Sequence, residues 1–148
     1  MDALDLNLKL IFAILNGRVS SLINNRLEQN FLQAGLRLNS EDWSVLLFLS
    51  SHEGAIQQEI CKEVFLGKVK LTRVINRLER RKLLARQTSK IDRRANTLHL
   101  TGEGNQLISK AQKIAVLTLK ETLKGLGLDE LKIGQSVLQR IFHNTSLG

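Results

Sequence analysis

The segment KVKLTRVINRLERRKL, residues 68–83, constrains this chain more than any other stretch. Leu71, Val74, Ile75 and Leu78 fall at i, i+3, i+4 and i+7, the spacing of one apolar stripe on a helix. Lys68, Lys70, Thr72, Arg73, Asn76, Arg77, Arg80 and Arg81 occupy the remaining faces. The pattern predicts a helix anchored on one side and cationic on the other, a shape suited to the major groove of a duplex.

The charge balance sharpens this reading. The chain of 148 residues carries a formal charge of +8, and its pI is near 10.1. Residues 62–94 hold twelve Lys or Arg against three Asp or Glu, or +9, and the rest hold ten against eleven, or −1. The whole excess therefore lies in one run. A basic run is ordinarily a solvated face, but this one coincides with a helix and a hairpin, which points to a nucleic-acid footprint.

Composition bounds the rest. With 43% hydrophobic residues, the chain has apolar material for one domain with a core. No Pro, no Tyr, five Phe and one Trp favour a mainly helical protein. The single cysteine, Cys61, cannot form an intramolecular disulfide. The early apolar run LIFAIL, residues 10–15, is too short to span a bilayer, and Asp2 and Asp5 stand where a secretory leader would be basic. The expectation is a cytoplasmic protein with no membrane partner.

Periodicity places the other elements. A first helix is expected over residues 6–32, with Ile11, Leu15, Val19, Leu22, Ile23, Leu27 and Phe31 on one side and Gly35 as its stop. LNSEDW starts a second helix, with Asn39 as N-cap and WSVLLFL behind it, broken at residues 52–54. AIQQEICKEVF reads as a short third helix with Ile56, Ile60, Val64 and Cys61 inward, and the segment opened above is the fourth. Residues 84–88 and 97–100 read as two strands joined by the charged link KIDRRAN. Thr101 caps a fifth helix to about residue 124, carrying Leu107, Ile108, Ala111, Ile114, Ala115, Leu119 and Leu123. Gly125 and Gly127 then act as a hinge, and Asp129 starts a sixth helix through Leu131, Leu138, Ile141 and Phe142.

Helix, turn, helix and hairpin make a winged helix-turn-helix. With the fourth helix in the major groove, the hairpin tip, with Lys90, Arg93 and Arg94, would lie over the backbone and the minor groove. Arginine is the side chain best suited to a narrow, negative minor groove. Asp92 is then expected to brace a neighbouring arginine by a charge-assisted bond rather than face phosphates alone.

These stretches resemble the MarR family of transcriptional regulators. DRRANTLHLTGEG, residues 92–104, is similar to that family's wing, an Asp-x-Arg followed by a strand and a Leu-Thr-x-x-Gly helix start. LTRVINRLERRKLL is similar to its recognition helix and following strand, and LNSEDWSVLLFL to the helix before the DNA-binding unit. The resemblance implies a single domain over residues 1–148: a mainly α fold of six helices with a two-stranded β wing. It further implies that residues 39–100 form the DNA-binding lobe, and that residues 1–36 and 101–148 form a homodimer interface.

The resemblance also implies a pocket for a small phenolic or lipophilic effector, although no pocket residue is assigned. Carried over position by position, Lys70, Thr72 and Arg73 would face the major groove and Arg77 would support backbone contacts. Arg94 would be the minor-groove arginine, braced by Asp92. Two positions depart from the family. FLGKVK places Val69 where a serine donor often stands, and Lys82 stands where a glycine often closes the recognition helix. Lys82 implies either an altered turn or a left-handed backbone there.

Other chemistries find less support. His52, His99 and His143 are far apart, with no second His or Cys at ligand spacing, and no nucleophile–base pair or phosphate-cradling glycine loop occurs. The chain is therefore expected to be no enzyme and to need no cofactor or metal. Cys61 and Trp43 are expected to pack in the core. The expected function is a sequence-specific regulator, most simply a repressor, on pseudo-palindromic duplex DNA. An effector-blind architectural DNA-binding protein and a winged-helix protein-interaction module are the two alternatives.

Overall fold

A computed structural model of the chain describes residues 17–64, 66–88, 90–91 and 95–146. Among these lie six helices and three short strands: α1 (Arg18–Gln33), α2 (Ser40–Ser51), β1 (Ala55–Ile56), α3 (Gln57–Val64), α4 (Lys68–Arg80), β2 (Leu84–Thr88), β3 (Asn96–Leu100), α5 (Gly102–Thr122) and α6 (Leu128–Ser146). The chain divides after Thr118 into two compact units. No helix among the described residues is long and apolar enough to cross a membrane.

In the first unit the core gathers around α4. Leu71, Val74, Ile75 and Leu78 are all fully buried, so the stripe read from the sequence is the stripe that packs. They meet Val45, Leu46 and Leu49 of α2, Ile60 of α3, Phe31 of α1, and Ile108 and Ala111 of α5 in one cluster. Trp43 is half-buried against that cluster, its ring 5.5 Å from that of Phe31. Cys61 is half-buried too, and its thiol donates to the carbonyl of Leu66 at 3.1 Å.

Capping sets the entrance to α2. The Asn39 side chain accepts from the Asp42 amide at 2.8 Å, and the Asp42 carboxylate accepts from the Asn39 amide at 3.3 Å. This reciprocal pair is a capping box with aspartate in the place of the usual Glu or Gln. Thr118, buried on α5, accepts from the Asn30 amide nitrogen at 2.8 Å and donates to the carbonyl of Ile114, which ties α1 to α5.

Four expectations need correcting. Gly17, at φ 76°, immediately precedes α1, so the first helix is not continuous from residue 6 to 32; residues 1–16 lie outside the described set. Val19 and Leu22 of that stripe are exposed, because α1 packs into the core only from its later turns, at Leu27 and Phe31. Ala55 and Ile56 do not open a helix. They pair as β1 with Leu98 and Thr97 of β3, which makes the wing sheet three-stranded in the order β1-β3-β2. Leu119 is exposed rather than continuing the buried side of α5, and Leu123, also exposed, lies past the end of that helix.

The hairpin itself is as read, with Leu84 opposite Leu100 and Thr88 opposite Asn96. In the second unit, α6 buries no residue.

Candidate nucleic-acid interface

The burial of α4 fixes what it shows outward. With the 71–74–75–78 stripe inside, helical geometry sets Val69, Arg73, Asn76 and Arg80 on the opposite ridge. Lys70 and Arg77 flank the ridge on the side of α2, while Thr72 and Glu79 flank it on the other.

The flanks are held by neighbouring elements. Arg77 donates from Nε to Oδ1 of Asp42 at 3.1 Å and from Nη2 to the same oxygen. Arg81 approaches the other oxygen, Oδ2, at 3.8 Å. Asp42 is buried, so its carboxylate caps α2 and clamps α4 against it in one network. Lys70 pairs with Glu41 of α2 at 2.8 Å. Thr72 accepts from Gln57 Nε2 of α3 at 2.6 Å and donates to the Lys68 carbonyl at 2.8 Å, so its hydroxyl hydrogen stays inside the helix.

The wing also reaches the helix. From β2, the Arg86 guanidinium donates to Oδ1 of Asn76, while its Nε lies 3.5 Å from the Glu79 carboxylate. Lys68 and Arg73 are exposed, and neither side chain makes a hydrogen bond or ion pair with a described residue. Lys90, on the hairpin link, is exposed as well. Asp92, Arg93 and Arg94 lie outside the described residues.

The structure thus brings Lys68, Lys70, Thr72, Arg73, Asn76 and Arg77 together on α4, and it adds partners that sequence reading did not single out: Glu41, Asp42, Gln57, Glu79 and Arg86. Only Asp42 had a local signal, the Asn39-x-x-Asp42 spacing of a capping box. The others meet across elements and leave no trace in spacing.

Two close approaches lock this unit to α5. Thr101 donates from its hydroxyl to the Lys82 carbonyl at 2.6 Å and accepts from the Gly104 amide at 3.0 Å. Gly104 lies so near Leu83 that a β-carbon on it would come within 2.0 Å of the Leu83 carbonyl oxygen. The Leu-Thr-x-x-Gly pattern therefore has a physical reason: threonine caps α5 and holds the end of the α4 turn, and glycine lets the two backbones meet.

A core-anchored helix pair with a β hairpin beside its second helix defines a winged helix-turn-helix protein. The model of the MarR family matches residues 35–95, the winged-helix segment of this chain. The chain is also similar to solved transcriptional regulators over most of its length. It is 29% identical to the transcriptional regulator PA3341, covering 93% of this chain and 99% of that one with a TM-score of 0.80. It is 26% identical to the transcriptional repressor CouR bound to a 23-mer DNA duplex, covering 84% and 87% with a TM-score of 0.76. CouR from Rhodococcus jostii RHA1 bound to p-coumaroyl-CoA shares the fold, at 23% identity, 88% and 90% coverage and a TM-score of 0.75.

Proposed function

We propose that this chain is a cytoplasmic transcriptional repressor that binds pseudo-palindromic duplex DNA as a homodimer and responds to a small phenolic or lipophilic effector. One observation carries the reading: α4 buries its whole apolar stripe and turns Lys68 and Arg73 outward, neither paired with a described residue, beside a hairpin that carries further cations. In this reading α4 enters the major groove, with Lys68, Lys70, Thr72, Arg73, Asn76 and Arg77 along it. Lys90, Arg93 and Arg94 of the wing approach the backbone and minor groove, with Asp92 as brace. Residues 39–100 act as the DNA-binding lobe and residues 1–36 and 101–148 as the dimerisation part. The DNA duplex bound by CouR supports this use of the fold.

The dimer has its own support in α6, where Ile133, Val137, Leu138 and Ile141 are exposed apolar residues on a helix that buries none. A second copy covering them would bring two α4 helices into one particle, one for each half-site of a pseudo-palindrome. An effector would act by binding one spacing of the two lobes more tightly than the other. The p-coumaroyl-CoA bound by CouR supports an aromatic ligand class.

The test is to incubate the purified chain with fragmented genomic DNA from its source near physiological salt and to sequence what it retains. The expected result is an enriched inverted repeat with half-sites one turn apart. Retention without a shared site, lost steeply with salt, would favour an architectural protein and overturn the reading. No retention would favour an interaction module.

A further inference from the structure

Val69 is out of place on α4. The other apolar residues of that helix, Leu71, Val74, Ile75 and Leu78, are fully buried, whereas Val69 is 68% exposed on the outward ridge, one turn before Arg73. Among the described residues of the segment 39–100, only Leu47, Val69 and Ile91 are large apolar side chains left exposed. The other exposed ones lie on α1, α5, α6 and the α5–α6 link, the part assigned above to dimerisation. Neither the core nor the proposed dimer therefore accounts for Val69. Helix propensity does not either, because a lysine or alanine would serve an exposed helical position better.

Its surroundings fit an approach by DNA. Val69 stands in the first turn of α4, the end whose side chains meet base edges when such a helix enters the major groove. That turn holds no acidic residue, and Gly67 gives it no side-chain cap. The exposed Lys68 adds a charge with no partner among the described residues. Open amides and a lysine together favour phosphates near this end of the helix. An isopropyl group carried against base edges there can neither donate nor accept. Over guanine, adenine or cytosine it would strip water from polar atoms and return no hydrogen bond. The apolar group that a major groove offers is the C5-methyl of thymine.

We propose that Val69 is a specificity-determining residue that reads thymine, its isopropyl group packing on the C5-methyl. This rests on the DNA-binding reading above and deepens it by naming one base feature that the site takes.

The experiment starts from the duplex that the full chain selects out of a randomised library. Each thymine of one half-site is then replaced singly by deoxyuridine, which removes only the methyl group. The unaltered chain should lose affinity about fourfold at a thymine, the effect of one methyl no longer buried. Val69→Ser should abolish that loss and bind the two duplexes alike, while discrimination elsewhere and the salt dependence hold. Val69→Ile keeps the apolar contact and should keep the loss. With cytosine at the same position, 5-methylcytosine should bind about fourfold more tightly than cytosine to the unaltered chain, and no more tightly to Val69→Ser.

Thermal unfolding is run on each variant; should Val69→Ser not fold, Val69→Asn decides on the same criterion. A selected sequence in which no deoxyuridine costs affinity would overturn the inference and leave the DNA-binding reading standing. So would a folded Val69→Ser that keeps every such cost. Retention of DNA with no selected sequence at all would overturn both.

Discussion

Gly104 shows how a single position can hold two elements together. Its missing β-carbon would otherwise overlap the Leu83 carbonyl oxygen at 2.0 Å, a backbone atom that cannot rotate away. Gly104→Ala should therefore destabilise the protein by about 2 kcal/mol or more, despite the higher helix propensity of alanine, because the start of α5 must move off the α4 turn. Urea unfolding measures this, and a stabilised variant would show that the contact is not tight. Asp42 is a different case, where one buried carboxylate serves the α2 cap, Arg77 and Arg81 together. In the sequence it is legible only as the last residue of the Asn39-x-x-Asp42 capping box. Its contact with Arg77 spans 35 positions and needs the packed α2–α4 interface to exist.

Among the elements, α1 and α4 end in the same way and differ in one residue. After α1, Leu36 donates to the Phe31 carbonyl and Gly35 to that of Leu32; after α4, Leu83 donates to Leu78 and Lys82 to Glu79. Both are Schellman closures with the residue past the cap in the left-handed region, at φ 79° for Gly35 and φ 60° for Lys82. Of the two possibilities open at Lys82, the left-handed backbone is the one found. A lysine there carries strain that glycine does not, and the strain persists because Thr101 holds the Lys82 carbonyl. Lys82→Gly should stabilise the chain by about 1 kcal/mol and raise Tm by about 3 °C, readable by calorimetry. An unchanged or lower Tm would mean that the lysine side chain offsets the backbone cost.

For the molecule as a whole, the proposed dimer depends on the apolar face of α6. Leu138 is 64% exposed, so Leu138→Glu should leave the single chain folded while weakening self-association at least tenfold. Sedimentation should then show a shift towards monomer, and affinity for a two-half-site duplex should fall while affinity for one half-site holds. An undiminished dimer would place the interface elsewhere. The charge excess acts at the same scale. If about six cations meet phosphates, affinity should drop roughly a thousandfold between 50 and 200 mM salt.

The sequence by itself determined the helices with complete apolar stripes, the hairpin and the location of the charge, because burial on one face leaves a 3.6-residue period wherever a helix packs. The α4 stripe was legible for that reason, and the Asn39 cap and the Thr101 start of α5 because a short polar side chain there accepts from the first-turn amides. It did not determine β1, whose two residues form a strand only because β3 passes beside them. Nor did it place Val19 and Leu22, whose exposure follows from where the neighbours of α1 end. The partners along α4 were likewise decided by tertiary structure: Asp42 for Arg77, Gln57 for Thr72, Arg86 for Asn76. A hydrogen bond across elements selects for geometry and not for spacing, so the cations could be counted in the sequence, but which of them face outward unpaired was settled only when the chain packed.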